Sequence, residues 1–156
     1  EYGYPELALL LRRRGEADGF VQQGEQLFRR LVFNILIDNT DDHEKNHALL
    51  INDAQQFELS PAYDVLPSGQ ALGYQQMRVG KEGADATLDN ALSQCALFSL
   101  KRDEAVAEIS RVASVVSGWV EHFVQCGVTG RDIELLVEQI DRAFLSAQRE
   151  AFLGRG

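Results

Sequence analysis

A mainly α-helical domain with one small β-hairpin is the fold that the sequence predicts. Three observations carry this expectation. Leu27, Leu31 and Ile35, with Phe28, Val32 and Leu36, recur at intervals of four, the spacing of a helix buried on a broad face. Ala48–Ile51 and Gln56–Leu59 flank a polar Asn52-Asp53-Ala54-Gln55 stretch, the pattern of a hairpin. The last part of the chain, from Leu88 to Ala151, reads as helical.

Each element follows in chain order. Pro5 and Glu6 open a helix through Leu7–Leu11, because proline suits the first turn and an acid favours its exposed N–H groups. Gly15 and Gly19 bracket a loop. The periodic helix begins at Gln26, and Asn39-Thr40 ends it. After the hairpin, Ser60–Gly69 holds Pro61 and Pro67, which exclude a regular helix there. Residues 70–87 contain glycines and little periodicity, so an ordered but irregular loop is expected. Three helices follow, over Leu88–Ser99, Arg102–Gln125 and Thr129–Ala151. Asp103 and Thr129 are the expected N-caps and Gly127 the stop. Trp119, Val120 and Phe123 read as core, and Cys95 and Cys126 as inert core thiols. No repeat or low-complexity segment interrupts the chain.

The 156 residues fit a single domain, 1–156, with a hydrophobic core. Apolar residues make up 45% and charged residues 25%, an ordinary globular composition. The net charge is −9, and basic residues cluster only at Leu11–Arg14. That balance disfavours direct nucleic-acid binding, which needs a basic face. Two cysteines without CxxC spacing fit a reducing, cytoplasmic setting. No apolar run approaches ~20 residues, so no membrane span is expected. Glu1–Leu10 lacks the basic start and cleavage site of a signal peptide. It also lacks an initiating Met, so the chain reads as a fragment or an excised domain.

The chemistry concentrates in Asn39–Leu50, NTDDHEKNHALL, which admits two parses. From His43 it contains H-E-x-x-H. On a helix, His43 and His47 would share a face and hold zinc while Glu44 polarises a water. Asp53 falls at the position of a third ligand. From Asp41 it contains D-x-x-x-x-N, the spacing of a kinase catalytic loop. Phosphoryl transfer needs a carboxylate to orient the acceptor hydroxyl and oxygen ligands to hold Mg²⁺ against the phosphates. Asp41 and Asn46 have that spacing, a hairpin follows, and Asp64 comes directly after it. This joint order is more specific than either short motif. Taken singly, Asp41 and Asp42 can cap a turn, Asp64 can be a turn residue and Tyr63 a half-buried core residue. A third reading is a non-enzymatic helical module that docks a partner.

N-T-D-D-H-E-K-N-H at 39–47, with L-F-R-R-L-V-F-N at 27–34 and L-S-P-A-Y-D-V at 59–65, resembles the HipA-like serine/threonine kinases. Their pattern is N-x-D-x-H-x-K-N, a hairpin, then L-[ST/A]-P-x-Y-D. The resemblance covers most of the chain and implies a kinase C-lobe-like fold. It is divided into catalytic loop 39–47, hairpin 48–59, Tyr-Asp motif 60–66 and helical part 88–151. It implies Asp41 as catalytic base and Asn46 and Asp64 as Mg²⁺ ligands. His43, Glu44, Lys45, Asn46, Tyr63 and Asp64 would form the ATP-binding set. His43 then orients the loop, and H-E-x-x-H becomes an accident of Glu44 and His47. The cofactors implied are ATP and Mg²⁺, the substrate a protein serine or threonine. The resemblance also implies a toxin role beside a helix-turn-helix antitoxin.

A glycine-rich loop and a strand lysine paired to a helix glutamate, which a complete kinase needs, have no counterpart in the sequence. Residues 1–26 are too few for an N-lobe. The N-lobe is therefore expected from elsewhere, in the same gene or as a separate chain, and the isolated lobe is expected to be inactive.

Overall fold

The core forms around one helix. In the computed structural model, which describes residues 2–155, α2 (Phe20–Leu36) packs against α1 (Tyr4–Arg14), α3 (Leu88–Leu92), the 3-10 turn Cys95–Phe98 and α4 (Arg102–Ser117). Leu27, Phe28, Leu31, Val32, Ile35 and Leu36 are all buried. Each such side chain removed from water contributes about 1.5–3 kcal/mol, so this stripe dominates the core. Glu108 on α4 clamps α2 by accepting from Arg29 Nε at 3.0 Å and Nη2 at 3.2 Å.

α1 starts with Pro5 in its first turn, carries Glu6 there and ends on Arg12–Arg14, which suits the helix dipole at both ends. α2 begins at Phe20, directly after Gly19 and well before the expected Gln26. Two polar or small residues hide its first turns from a periodicity argument. Gln23 Oε1 accepts from the Leu59 backbone N–H at 2.7 Å, and Gly24 lies against the Phe98 carbonyl.

The hairpin forms where expected. β1 (Leu49–Ile51) and β2 (Phe57–Leu59) are antiparallel, with Leu49 opposite Leu59 and Ile51 opposite Phe57. Asn52 Oδ1 closes the turn by accepting from Ala54 and Gln56 N–H, each at 3.0 Å. Residues 60–87 hold neither helix nor strand, as expected, and only isolated bridges such as Gly3–Arg78 and Tyr74–Asp85 occur. Arg78 anchors this loop through Glu6, the Gly80 carbonyl and Gln94.

The three expected C-terminal helices are broken into shorter pieces. α3 gives way to the 3-10 turn, and Ser99 stops it in the left-handed region, φ 63°. Gly118 separates α4 from α5 (Trp119–Gln125). Asp141 and Arg142 separate α6 (Gly130–Ile140) from α7 (Ala143–Phe152), because their side chains are drawn to other partners. The cap of α4 is Lys101 rather than Asp103; Glu104 Oε2 accepts its backbone N–H at 2.8 Å. Thr129 caps α6 as expected, accepting from Asp132 N–H, and Gly127 takes φ 82°. Trp119 is buried, but Val120 is exposed; Cys95 is buried, but Cys126 is exposed. Those two departures follow from α5 presenting only one face to the core. Among the described residues, no helix is long and apolar enough to cross a membrane.

Gly24→Ala separates propensity from packing. Alanine favours a helix interior by about 1 kcal/mol, but its Cβ would lie 2.5 Å from the Phe98 carbonyl oxygen. Overpacking of this kind costs about 1–3 kcal/mol. Urea denaturation should therefore show net destabilisation; a stabilised variant would contradict this packing.

Candidate functional site

The loop between α2 and β1 begins with a reversal. Asp38 takes φ 58°, a left-handed conformation that short polar side chains tolerate best. Its Oδ1 accepts from Arg142 Nη2 at 2.6 Å and its Oδ2 from the Ala71 N–H at 3.2 Å. Its carbonyl accepts from the Ser68 N–H at 3.0 Å and hydroxyl at 2.8 Å. Thr40 Oγ1 lies 2.5 Å from the same Ser68 hydroxyl. The entry to the loop is thus tied to both the irregular loop and the corner between α6 and α7.

Beneath it runs a buried polar chain. Asn39 Nδ2 donates to Asn34 Oδ1 at 3.2 Å, Asn34 Nδ2 to the Tyr4 hydroxyl at 2.9 Å, and that hydroxyl to Asp42 Oδ2 at 2.5 Å. Asp42 Oδ1 accepts from His47 Nε2 at 2.8 Å. A carboxylate can only accept, which places the His47 proton on Nε2. Burial first, and the Asp42 charge second, push the Tyr4 hydroxyl well above the usual tyrosine value, so it remains a donor. Arg30 is buried nearby with Nη2 on the Ser60 carbonyl at 2.7 Å. Burial pulls its guanidinium below the ordinary value, while the Asp42 charge holds it up.

Above this chain sit the residues singled out by motif. His43–His47 is not an α-helix: a single 3-10 turn, Glu44–Asn46, lies between His43 and His47, both extended. The shared helix face that H-E-x-x-H requires is absent from this stretch. Among the described residues, no three His, Cys, Asp or Glu side chains converge to hold a metal ion, so Asp53 does not complete a zinc set. Asn46 Nδ2 donates to Asp64 Oδ2 at 2.6 Å. The carboxylate fixes that orientation, and Asn46 Oδ1 is left buried without a partner. Asp64 takes φ 55° and is exposed. Asp41 and Asp64 line one cavity of about 260 Å³ with Asn39, Leu66, Pro67 and Ser68. Tyr63 donates its hydroxyl to the Lys45 carbonyl at 2.7 Å.

Asp64 is therefore the shared member: it bonds Asn46 and lines one cavity with Asp41. The rest of the motif set surrounds them. Lys45 is exposed, and His43 is half-buried with Nδ1 unpartnered. Glu44 lines a neighbouring cavity of about 350 Å³ with Tyr2, Leu10, His47 and Leu49. The Tyr63 ring lines another, of about 630 Å³, with Arg29, Arg30 and Phe33. Sequence reasoning missed Tyr4, Asn34 and Asp38, and gave Asp42 no more than a capping role. Asp42 and Asn34 lay inside the quoted motifs without a role beyond capping, and Tyr4 and Asp38 carried no local signal.

The chain matches the family described as HipA-like C-terminal domain over residues 1–119, and it belongs to that family. Among solved structures it is similar to one described as "Shewanella oneidensis MR-1 Toxin Antitoxin System HipA, HipB and its operator DNA complex", with a TM-score of 0.58 and 16% identity. That match covers 98% of this chain and 34% of that one, so the chain spans about a third of the length of the structure it resembles. At this identity the likeness is one of fold. No curated protein matches by sequence.

Asp38 is open to test. Asp38→Ala removes both the residue suited to φ 58° and the partner of Arg142, and should cost on the order of 1–3 kcal/mol. Asp38→Asn keeps the backbone preference and should cost less. Thermal denaturation of the two variants checks the order; equal losses would assign the whole effect to the ion pair.

Proposed function

We propose that this chain is the acceptor- and metal-holding lobe of a HipA-like protein serine/threonine kinase, which transfers a phosphoryl group from Mg-ATP to a protein hydroxyl. The observation that carries the reading is the bond from Asn46 to Asp64, beside a cavity shared by Asp64 and Asp41. Kinase chemistry asks for those three groups in that relation.

Asp41 is exposed at the cavity wall, where its carboxylate can orient an entering serine or threonine hydroxyl and take its proton. Asn46 Oδ1, an acceptor without a partner, and the Asp64 carboxylate form an all-oxygen donor pair that fits Mg²⁺, which takes a few protein oxygens and leaves the rest to water and phosphate. Magnesium, when bound, would neutralise charge on the phosphates. Lys45 offers a point charge to a phosphate from the rim, and Tyr63 holds the Lys45 carbonyl in place. His43 orients the loop, and Glu44 borders the nucleotide side.

The groups that clamp a nucleotide and cover its phosphates belong, on this reading, to an N-terminal lobe in the same gene or on a separate chain. The solved relative was crystallised as HipA with HipB and operator DNA. By that likeness a helix-turn-helix antitoxin is the proposed partner, a cytoplasmic toxin–antitoxin pair the proposed setting, and DNA contact the antitoxin's task.

Phosphotransfer by the kinase with both lobes should fall by about 10²–10⁴-fold in Asp41→Asn, since the amide cannot accept the proton. Asp64→Ala should also lose activity, and added Mg²⁺ should restore part of it. Calorimetry on the 156-residue chain should find weak or no binding of Mg-ATP. Full activity in Asp41→Asn would mean that another group is the base; tight ATP binding by the chain alone would contradict the two-lobe reading.

A further inference from the structure

The second histidine of the H-E-x-x-H string takes no part in the kinase motif, yet its side chain is among the most enclosed in the loop, with 3% exposed. We propose that His47 and Asp42 are positioning residues for the metal-holding amide. Their hydrogen bond closes the segment His43–Asn46 into a clasp that aims Asn46 at Asp64. This rests on the kinase reading for what Asn46 holds, but not for the clasp itself.

The argument is geometric. Asp42 and His47 stand at the two ends of the segment and are joined at 2.8 Å. Both His43 and His47 have extended backbone, and the 3-10 turn lies between them. His47 is held against Asp42 and edge-on to the Tyr4 ring at 5.1 Å between centroids, which fixes the chain directly after the turn; Asn46, the turn's last residue, then has its Nδ2 on Asp64. His47 Nδ1 is buried without a partner. The ring's one hydrogen bond is thus the one from Nε2 to Asp42. Glutamine can place an amide N–H near the position of Nε2, while phenylalanine keeps the ring and loses the donor. Supporting residues behind a metal ligand typically alter affinity by about 10–100-fold.

The test is a ¹⁵N spectrum of the chain, reading water exchange of the Asn46 side-chain amide, followed by titration with magnesium chloride. In His47→Phe the amide should lose its protection and the Mg²⁺ midpoint should rise about tenfold. Asp42→Asn, which weakens the clasp from the other end, should show the same pair of losses. His47→Gln should restore both. Ile109→Val, a core-loosening control on α4, should lower the melting temperature and leave Asn46 and Mg²⁺ as in the parent chain. Wild-type protection of Asn46 in His47→Phe would overturn the proposal, as would equal loss in Ile109→Val. A parent chain that ignores free Mg²⁺ would mean that the metal enters with the nucleotide phosphates, and the Asn46 amide would then decide the clasp alone.

Discussion

The buried carboxylate of Asp42 is the constraint on which the loop depends. A carboxylate removed from water is costly unless its oxygens are occupied, and removing one partner leaves an uncompensated charge. Here both oxygens are used: Tyr4 reaches Oδ2 from α1, and His47 reaches Oδ1 from the far end of the loop. Arg30 adds a buried positive charge from α2. One side chain thus fixes the loop against two helices and against itself. At the cavity wall above it, Asp41 stands exposed beside Asp64, whose carboxylate holds the Asn46 amide.

The same bond explains why two motifs could be read from one string. H-E-x-x-H and D-x-x-x-x-N overlap in sequence but demand different backbones, a helix in one case and an irregular loop in the other. His47 cannot face both Asp42 and a metal shared with His43. Its Nε2 is committed to Asp42, and only the 3-10 turn is left between the histidines. A five-residue pattern carries no information about which backbone is adopted; a buried partner on another helix does.

What was legible in the sequence was local or ordered along the chain. The hairpin followed from a polar turn between apolar runs, and the meeting of Asn46 with Asp64 followed from the hairpin that returns the chain. Partners distant in sequence left no signal. Tyr4 looked like any residue near a helix start, and nothing linked it to Asp42. Asp38 passed unnoticed because a left-handed aspartate has no periodicity. The start of α2 was placed late because Gln23 and Gly24 serve packing against Leu59 and Phe98 rather than the apolar stripe. The long C-terminal helices were over-extended for a related reason: Asp141 and Arg142 are compatible with a helix, and only their partners elsewhere make them a break.

Those partners bind the end of the chain to the site. The family match ends at residue 119, yet Trp119 donates its indole N–H to Asp141 at 3.1 Å, and Arg142 donates to Asp38 at 2.6 Å. Arg149 holds the Ile140 carbonyl at 2.7 Å as well as Asp141. The corner between α6 and α7 is therefore shaped by ion pairs, and one of them ends on Asp38, where the chain leaving α2 turns into the Asn39–His47 segment. For a non-glycine residue the left-handed conformation costs roughly 1–2 kcal/mol, so Asp38 needs compensation. Arg142 supplies it from the α6–α7 corner, and Ser68 and the Ala71 N–H supply it from the irregular loop. The helices beyond the family match are in this sense part of the site's foundation: they hold the reversal from which Asp41 and Asp42 are presented.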